Sequence, residues 1–147
     1  MRLLQVLVVG LGLSFGHFAK AADQKLATVE VEVKGKTDNA KGIRTLFVIV
    51  YDSASKTPRP YGALKVDLKA DPTGTVYKGD LTTGTTGNVT VMGESTTPKT
   101  IRIKARLDKD GSAGGDQPGD FSATVDNINV GEKGKEKEIV KITIDVL

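Results

Sequence analysis

The stretch Ile-Arg-Ile-Lys-Ala-Arg-Leu at residues 101–107 alternates strictly between apolar and basic side chains. Because successive side chains of a β-strand point to opposite faces of the sheet, this period of two predicts a strand with one buried and one charged face. The same alternation recurs at residues 29–34, 64–69 and 140–146. No stretch after residue 22 has a convincing helical periodicity, so the pattern predicts an all-β chain.

Residues 43–51 have a different pattern. Their central segment, Leu-Phe-Val-Ile-Val at 46–50, is apolar at both parities. A run of this kind is typical of a strand that is buried on both faces and central in its sheet. We therefore expect Phe47 and Ile49 near the centre of the core.

Weaker strand patterns lie at residues 75–81, 88–92 and 121–130, and the last of these changes parity near Asp126 and Asn127. A β-bulge at that point would restore the register. All five prolines fall between the predicted strands, where a missing backbone donor costs little. Seven to eight short strands separated by turn residues predict an antiparallel, immunoglobulin-like β-sandwich, with a closed barrel as the alternative.

The first 22 residues have the layout of a cleavable signal peptide. Arg2 precedes an apolar run at residues 3–13, and Ala19-Lys20-Ala21 supplies small residues for cleavage after Ala21 or Ala22. A transmembrane anchor needs about 20 apolar residues, which is longer than this run. We therefore expect residues 1–22 to be a signal peptide and 23–147 to be a single domain without a transmembrane span. The expected location is the periplasm, the cell surface or the medium.

The composition excludes several classes of site. The chain has no cysteine, and its one histidine, His17, lies in the expected leader. Catalysis by Ser-His-Asp or Cys-His and the usual zinc sites need imidazole or thiolate groups, so the mature chain cannot build them. Loss of Arg2 and Lys20 lowers the formal net charge from +3 to +1. A nearly neutral chain with interleaved charges argues against a nucleic-acid partner.

The segment 108–120 is the strongest candidate for chemistry, because it is rich in aspartate and glycine. Calcium prefers six to eight oxygen ligands on a backbone that can curl around the ion. The segment predicts a calcium site with these ligands: Asp108, Asp110, Ser112, Asp116 and Asp120. It departs from the EF-hand pattern, since no glycine stands at position six of the loop and Gly119 stands where glutamate is needed. The alternative is a plain solvated turn, because Asp and Gly are ordinary turn residues.

Two further features have a functional and a structural interpretation. The row of Arg102, Lys104 and Arg106 has the charge to bind a phosphate, a sulfated glycan or an anionic membrane. Alternatively, the row faces water or pairs with Glu30 and Glu32 on a neighbouring strand. Tyr61, in a proline-rich loop, has the shape to stack on a sugar or peptide, or to pack on the edge of the sandwich.

Three segments carry a family resemblance: Val31–Gly35, Leu46–Ser53 and Leu107–Gly111. Two strands followed by a late strand that runs straight into an Asp- and Gly-rich loop resemble small exported bacterial β-sandwich domains of the prealbumin or carboxypeptidase-regulatory type. The resemblance implies a fold and a compartment, and it implies no activity.

These observations predict an exported, non-enzymatic β-sandwich that acts as a binding or structural module, with calcium as a candidate stabilising ion. Its expected partner is an envelope or extracellular protein or a glycan. One alternative is a small hydrolase of the glycosidase kind, which needs only two carboxylates. Another is an envelope subunit that assembles by strand addition through an exposed edge such as Val140–Leu147.

Overall fold

A computed structural model of the chain describes residues 23–56, 59–93, 96–131 and 138–147. The expected signal peptide at 1–22 lies outside the described residues. The strands, in chain order, are β1 (Gln24–Gly35), β2 (Thr45–Asp52), β3 (Gly62–Asp67), β4 (Gly74–Thr83), β5 (Thr90–Val91), β6 (Thr100–Asp108), β7 (Phe121–Asn129) and β8 (Ile139–Val146). A single turn of 3-10 helix, Thr37–Ala40, precedes β2.

The strands form two packed sheets, which confirms the all-β sandwich. One sheet has the order β4-β1-β8, and the other has the order β5-β3-β2-β6-β7. Every pair is antiparallel except β1 and β8, which run parallel. The alternation at 29–34 sets the orientation of β1, because its valines are buried and its glutamates lie on the other face.

The core lies between the inner faces of the two sheets. Large side chains that are fully buried there come from both sheets: Leu46, Leu81, Ile101, Ile103, Leu107, Ile142 and Ile144. Burial of each such side chain contributes about 1.5–3 kcal/mol. The inner face of β2 consists of Leu46, Val48 and Val50.

Phe47 and Ile49 are buried as expected, at 6% and 7% exposed, but the expectation that they lie at the centre of the core is wrong. They belong to the opposite face of β2 from Leu46, Val48 and Val50, and are outside the core cluster. When both faces of a strand are apolar, the sequence does not show which face packs against the other sheet and which face is covered by another segment.

The predicted irregularity in β7 is present. Ile101 of β6 pairs with Ile128, whereas Ile103 pairs with Val125, so β7 has one extra residue between these pairs. Asn127, within this bulge, has a positive φ of 57°. Asparagine tolerates this left-handed conformation better than most residues do, and the bulge returns Ile128 to the face of Val125.

Candidate functional site

The loop that joins β6 to β7, residues 109–120, folds back over the outer face of the five-stranded sheet. On this face the pairing of β2 with β6 sets Phe47 beside Arg106 and Ile49 beside Lys104. From the loop, the Asp116 carboxylate reaches Lys104 Nζ at 2.6 Å and Arg106 Nη1 at 3.0 Å. The loop is therefore bound to the sheet by charged contacts.

Arg106 is the centre of these contacts and is only 3% exposed. Its guanidinium lies 5.1 Å from the centroid of the Phe47 ring, which provides a cation–π contact. Its Nη2 donates to the carbonyl oxygen of Ser112 at 3.4 Å, and its Nε lies 3.1 Å from Asp108 Oδ2. The latter two atoms are close enough for an ion pair but are not aligned for a hydrogen bond. One buried cation thus contacts the start, the middle and the end of the segment 108–116.

Asp108 is only 1% exposed, and the cost of burying its charge raises its pKa above the ordinary value. A hydrogen bond with Asp110 and the nearby charge of Asp120 act in the same direction, whereas Arg106 opposes them. Asp108 Oδ1 also accepts a hydrogen bond from the backbone N–H of Ser112 at 3.2 Å. Its carboxyl group therefore faces the interior of the loop.

Asp116 has the opposite electrostatic environment. The hydrogen bond from Lys104, followed by the one from Arg106, holds its pKa below the usual range although partial burial opposes this shift. Asp116 is therefore ionised at neutral pH and is held by two cations of the same strand.

Asp110 and Asp120 bind the backbone of their own loop. Asp110 Oδ1 accepts the N–H of Ser112 at 2.8 Å, and this bond lowers the pKa of Asp110. The two oxygens of Asp120 accept the N–H groups of Lys109 and Gln117, both at 2.8 Å. These contacts are typical of aspartates that stabilise turns.

The five predicted calcium ligands are thus divided by the structure. Asp108, Asp110 and Asp120 lie near one another at the base of the loop, where the backbone N–H of Ser112 donates to Asp108 and Asp110. Asp116 lies apart from them, on Lys104 and Arg106. Within the described part of the chain, no group of three or more Asp, Glu, His or Cys side chains is placed to hold a metal ion. Calcium binding by the loop stays a prediction.

Arg106 is the site residue that the sequence analysis missed. The sequence pattern places it in a basic row with Arg102 and Lys104, although residues 106 and 108 share a strand face and directly precede the acidic loop. An arginine two positions before an aspartate at the end of a strand was the available signal.

The expected pairing of the basic row with Glu30 and Glu32 is wrong, because these glutamates belong to the other sheet. There, Glu30 pairs with Lys78 at 3.6 Å and Glu32 with Lys34 at 3.4 Å. The first member of the basic row, Arg102, stacks on Tyr51 with 4.8 Å between the guanidinium carbon and the ring centroid.

Tyr61 packs rather than presenting its ring to solvent. It is 9% exposed and belongs to the core cluster. Its backbone N–H donates to Val50 O at 2.7 Å, which ties the proline-rich loop to β2. The geometry favours the structural interpretation of this tyrosine.

The sheet edges are a second candidate surface, because an open edge can pair with another strand. β5, at one edge of the five-stranded sheet, has only two residues, and β7, at the other edge, contains the bulge. Short strands and bulges both hinder pairing with another chain.

In the three-stranded sheet, the end of β4 is covered by the segment that follows it. Asn88 accepts the N–H of Thr82 at 2.9 Å and donates to Asp80 O at 2.8 Å, and the N–H of Val89 donates to Thr82 O. The other edge strand is β8, which has eight residues and no bulge in its pairing with β1. β8 is therefore a regular edge strand, and β7 of the other sheet packs close beside it.

No protein-family model, curated protein or solved structure matches the chain. The helical part of the described structure includes no segment with the length and apolar character needed to cross a membrane.

Proposed function

We propose that the chain is an exported, non-enzymatic β-sandwich that acts as a binding or structural module in the periplasm, at the cell surface or in the medium. One observation carries the proposal. The aspartates of the candidate site contact cations and backbone N–H groups of their own loop and strand, with Arg106 at the centre. This arrangement stabilises a loop, which is what a module that presents a fixed surface needs.

The same geometry argues against the hydrolase alternative. A general acid needs a raised pKa and access to the substrate. Asp108 has the raised pKa, but its side chain is 1% exposed. Asp116 is more accessible, with its side chain 47% exposed, but its pKa is lowered and Lys104 and Arg106 hold it. Neither carboxyl group combines the two requirements.

We also propose that the β-sandwich belongs to the prealbumin or carboxypeptidase-regulatory type. This assignment is supported by the two packed sheets and by β6, which runs directly into the Asp- and Gly-rich loop. The partner that we propose is an envelope or extracellular protein or a glycan, because the mature chain is nearly neutral.

The experiment that tests export and the absence of catalysis starts from the full chain expressed in a bacterial host. The intact mass of the protein from the periplasm and the medium should correspond to a start after Ala21 or Ala22. A chain that still begins at Met1 would contradict export. The purified protein should hydrolyse aryl glycosides no faster than buffer does.

Two variants test whether any hydrolysis depends on the carboxyl group of Asp108. Asp108→Asn removes the carboxyl group with the raised pKa, and Asp38→Asn is the matched control on the exposed 3-10 turn. Turnover that Asp108→Asn abolishes and Asp38→Asn preserves would overturn the proposal in favour of a hydrolase.

Assembly through a sheet edge is a second candidate, and the specific observation that favours it is the regular, bulge-free pairing of the edge strand β8. It is compatible with a structural module, since strand addition needs no catalytic group.

A further inference from the structure

The backbone of β8 presents a regular set of hydrogen-bonding groups at its free edge. The carbonyl oxygen of Val146 accepts the N–H of Lys36, so Val146 directs its backbone groups toward the β1 side. Because successive residues of a strand direct these groups to opposite edges, the N–H and C=O groups of Lys141, Thr143 and Asp145 point away from β1.

A cleft of about 460 Å³ lies at the start of β8, where β7, the first residues of β8 and residues 25–28 of β1 surround it. β7 packs close to β8, but it pairs with β6 in the other sheet and forms no ladder with β8.

The sequence of β8 is complementary to itself about its middle residue. If two copies pair antiparallel with Thr143 opposite Thr143, then Lys141 of each copy lies opposite Asp145 of the other. All three of these residues are exposed and share the outer face of the sheet. Opposite charges at directly opposed positions stabilise an antiparallel pair.

The charge pattern of the three-stranded sheet continues across such a junction. Within one copy, Lys78, Glu30 and Lys141 lie side by side on β4, β1 and β8, and Asp145 lies beside Lys34. Placing Asp145 of the second copy next to Lys141 extends this row with alternating sign from one sheet into the other.

The exposed hydrophobic residues provide an independent observation. Among the described residues, three large hydrophobic side chains are exposed: Met92, Ile139 at 39% and Leu147 at 84%. In the same register, Ile139 of one copy lies opposite Leu147 of the other, so two of these three side chains come together. The register that pairs the charges therefore also brings together two of the three exposed large hydrophobic side chains among the described residues.

We propose that two copies of the chain join through antiparallel pairing of their β8 strands, about a two-fold axis at Thr143. The pairing makes a continuous sheet of six strands and adds about six backbone hydrogen bonds, two at each of three hydrogen-bonded pairs. It rests on the proposed function, because it assigns a partner to the structural module.

Sedimentation equilibrium of the purified chain tests the dimer, with charge reversals as probes. The wild type should have the mass of a dimer. Lys141→Asp and Asp145→Lys should each be monomeric, because each sets like charges opposite one another. An equimolar mixture of these two variants should form a 1:1 heterodimer, since acidic positions then face basic ones. This recovery would not occur if either variant were misfolded.

Lys78→Asp is the matched control, because it also places an acid beside Glu30 but lies on β4, at the far edge of the sheet. It should remain dimeric. Leu147→Lys is a second probe that leaves the core intact, and it should raise the dissociation constant about tenfold, which corresponds to about 1.4 kcal/mol of lost apolar contact.

A wild type that is monomeric at millimolar concentration would overturn the proposal and leave the β8 edge available to a strand of another protein. A dimer that survives both charge reversals would also overturn it, because the contact would then use another surface. Neither result affects export or the absence of hydrolase activity, which are measured separately.

Discussion

Arg106 shows how one buried cation can organise a loop. Its guanidinium lies between Phe47, Asp108 and Asp116, so its removal leaves a buried carboxylate without a counter-charge. Breaking a buried ion pair by removing one partner costs about 3–5 kcal/mol. We expect Arg106→Met to lower the free energy of unfolding by about 3 kcal/mol in urea titrations.

Arg102→Met is the control for this change, since Arg102 lies on the same strand and stacks on Tyr51 but is only half-buried. Its effect should stay below about 1 kcal/mol. Adding Asp108→Asn to Arg106→Met removes the unpaired charge and should recover part of the loss. If the two arginine variants lose the same free energy of unfolding, the result would argue against a central role of Arg106 in holding the loop.

Phe47 tests whether the outer face of the sheet is a second packed region. Its ring is 6% exposed beneath Arg106, although it lies outside the core between the sheets. Truncation of a buried phenylalanine costs about 3–5 kcal/mol. We expect Phe47→Ala to lie at the lower end, about 3 kcal/mol, because water can enter a cavity on this side of the sheet.

Leu46→Ala, on the inner face of the same strand, is the comparison, and both variants are measured by urea unfolding. If Phe47→Ala lowers the free energy of unfolding by less than about 1 kcal/mol, then Arg106 and the loop do not pack on Phe47 closely enough to stabilise the fold.

Among the elements, β7 depends on its bulge. Asn127 has a φ of 57°, a conformation that β-branched residues adopt only with strain. We expect Asn127→Val to destabilise the chain by about 1–2 kcal/mol and Asn127→Gly to be neutral or stabilising. Asn129→Val, at an exposed position of the same strand whose φ is not positive, should have little effect. Equal urea midpoints for the two valine variants would contradict this account.

The loop between β6 and β7 is the element to which the calcium hypothesis belongs. Binding to the folded state alone would add about 2.7 kcal/mol at a hundredfold excess over Kd, and would raise the melting temperature by roughly 5–10 °C. The hypothesis also predicts that Asp110→Ala abolishes the response and that Asp67→Ala does not. Equal melting with calcium and with chelator would contradict it and leave Arg106 as the internal cation of the loop.

The sequence predicted the positions of the strands better than it predicted which strands pair with one another. Alternation located β1, β3, β6 and β8, and the change of parity near Asp126 located the bulge, because these signals are local. The parallel pairing of β1 with β8 had no local signal, since the two strands are far apart in the sequence. The aspartates of the loop were found, but their partner Arg106 lies on the preceding strand and was not recognised as part of the site.

For the whole molecule, the carboxyl groups predict how stability depends on pH. Hydrogen bonds from Lys104 to Asp116, from the Gly42 N–H to Asp71 and from Thr28 to Asp80 lower the pKa values of these aspartates in the folded chain. Their contribution to stability is therefore complete above the unfolded pKa of about 3.9 and is lost as the pH falls through the folded values.

Asp108 has the opposite effect on the pH dependence of stability, because its pKa is raised and its protonation relieves the cost of burying its charge. Among the described residues, more carboxyl groups have a lowered pKa than a raised one, so we expect the urea midpoint to be lower at about pH 3 than at about pH 6. Asp116→Asn should reduce the difference. A midpoint that is unchanged or higher in acid would contradict the assignment of these contacts.

The parallel pairing of β1 with β8 also constrains how the chain folds. β1 is the middle strand of its sheet, yet one of its two neighbours is β8, which a ribosome makes after the other seven described strands. A long loop must close before that contact can form, and proteins dominated by such distant pairings fold in milliseconds to seconds. A nascent chain that lacks β8 cannot complete the three-stranded sheet. For the exported protein that we propose, a chain threaded through a translocation channel would complete this sheet only after β8 has emerged on the far side of the membrane.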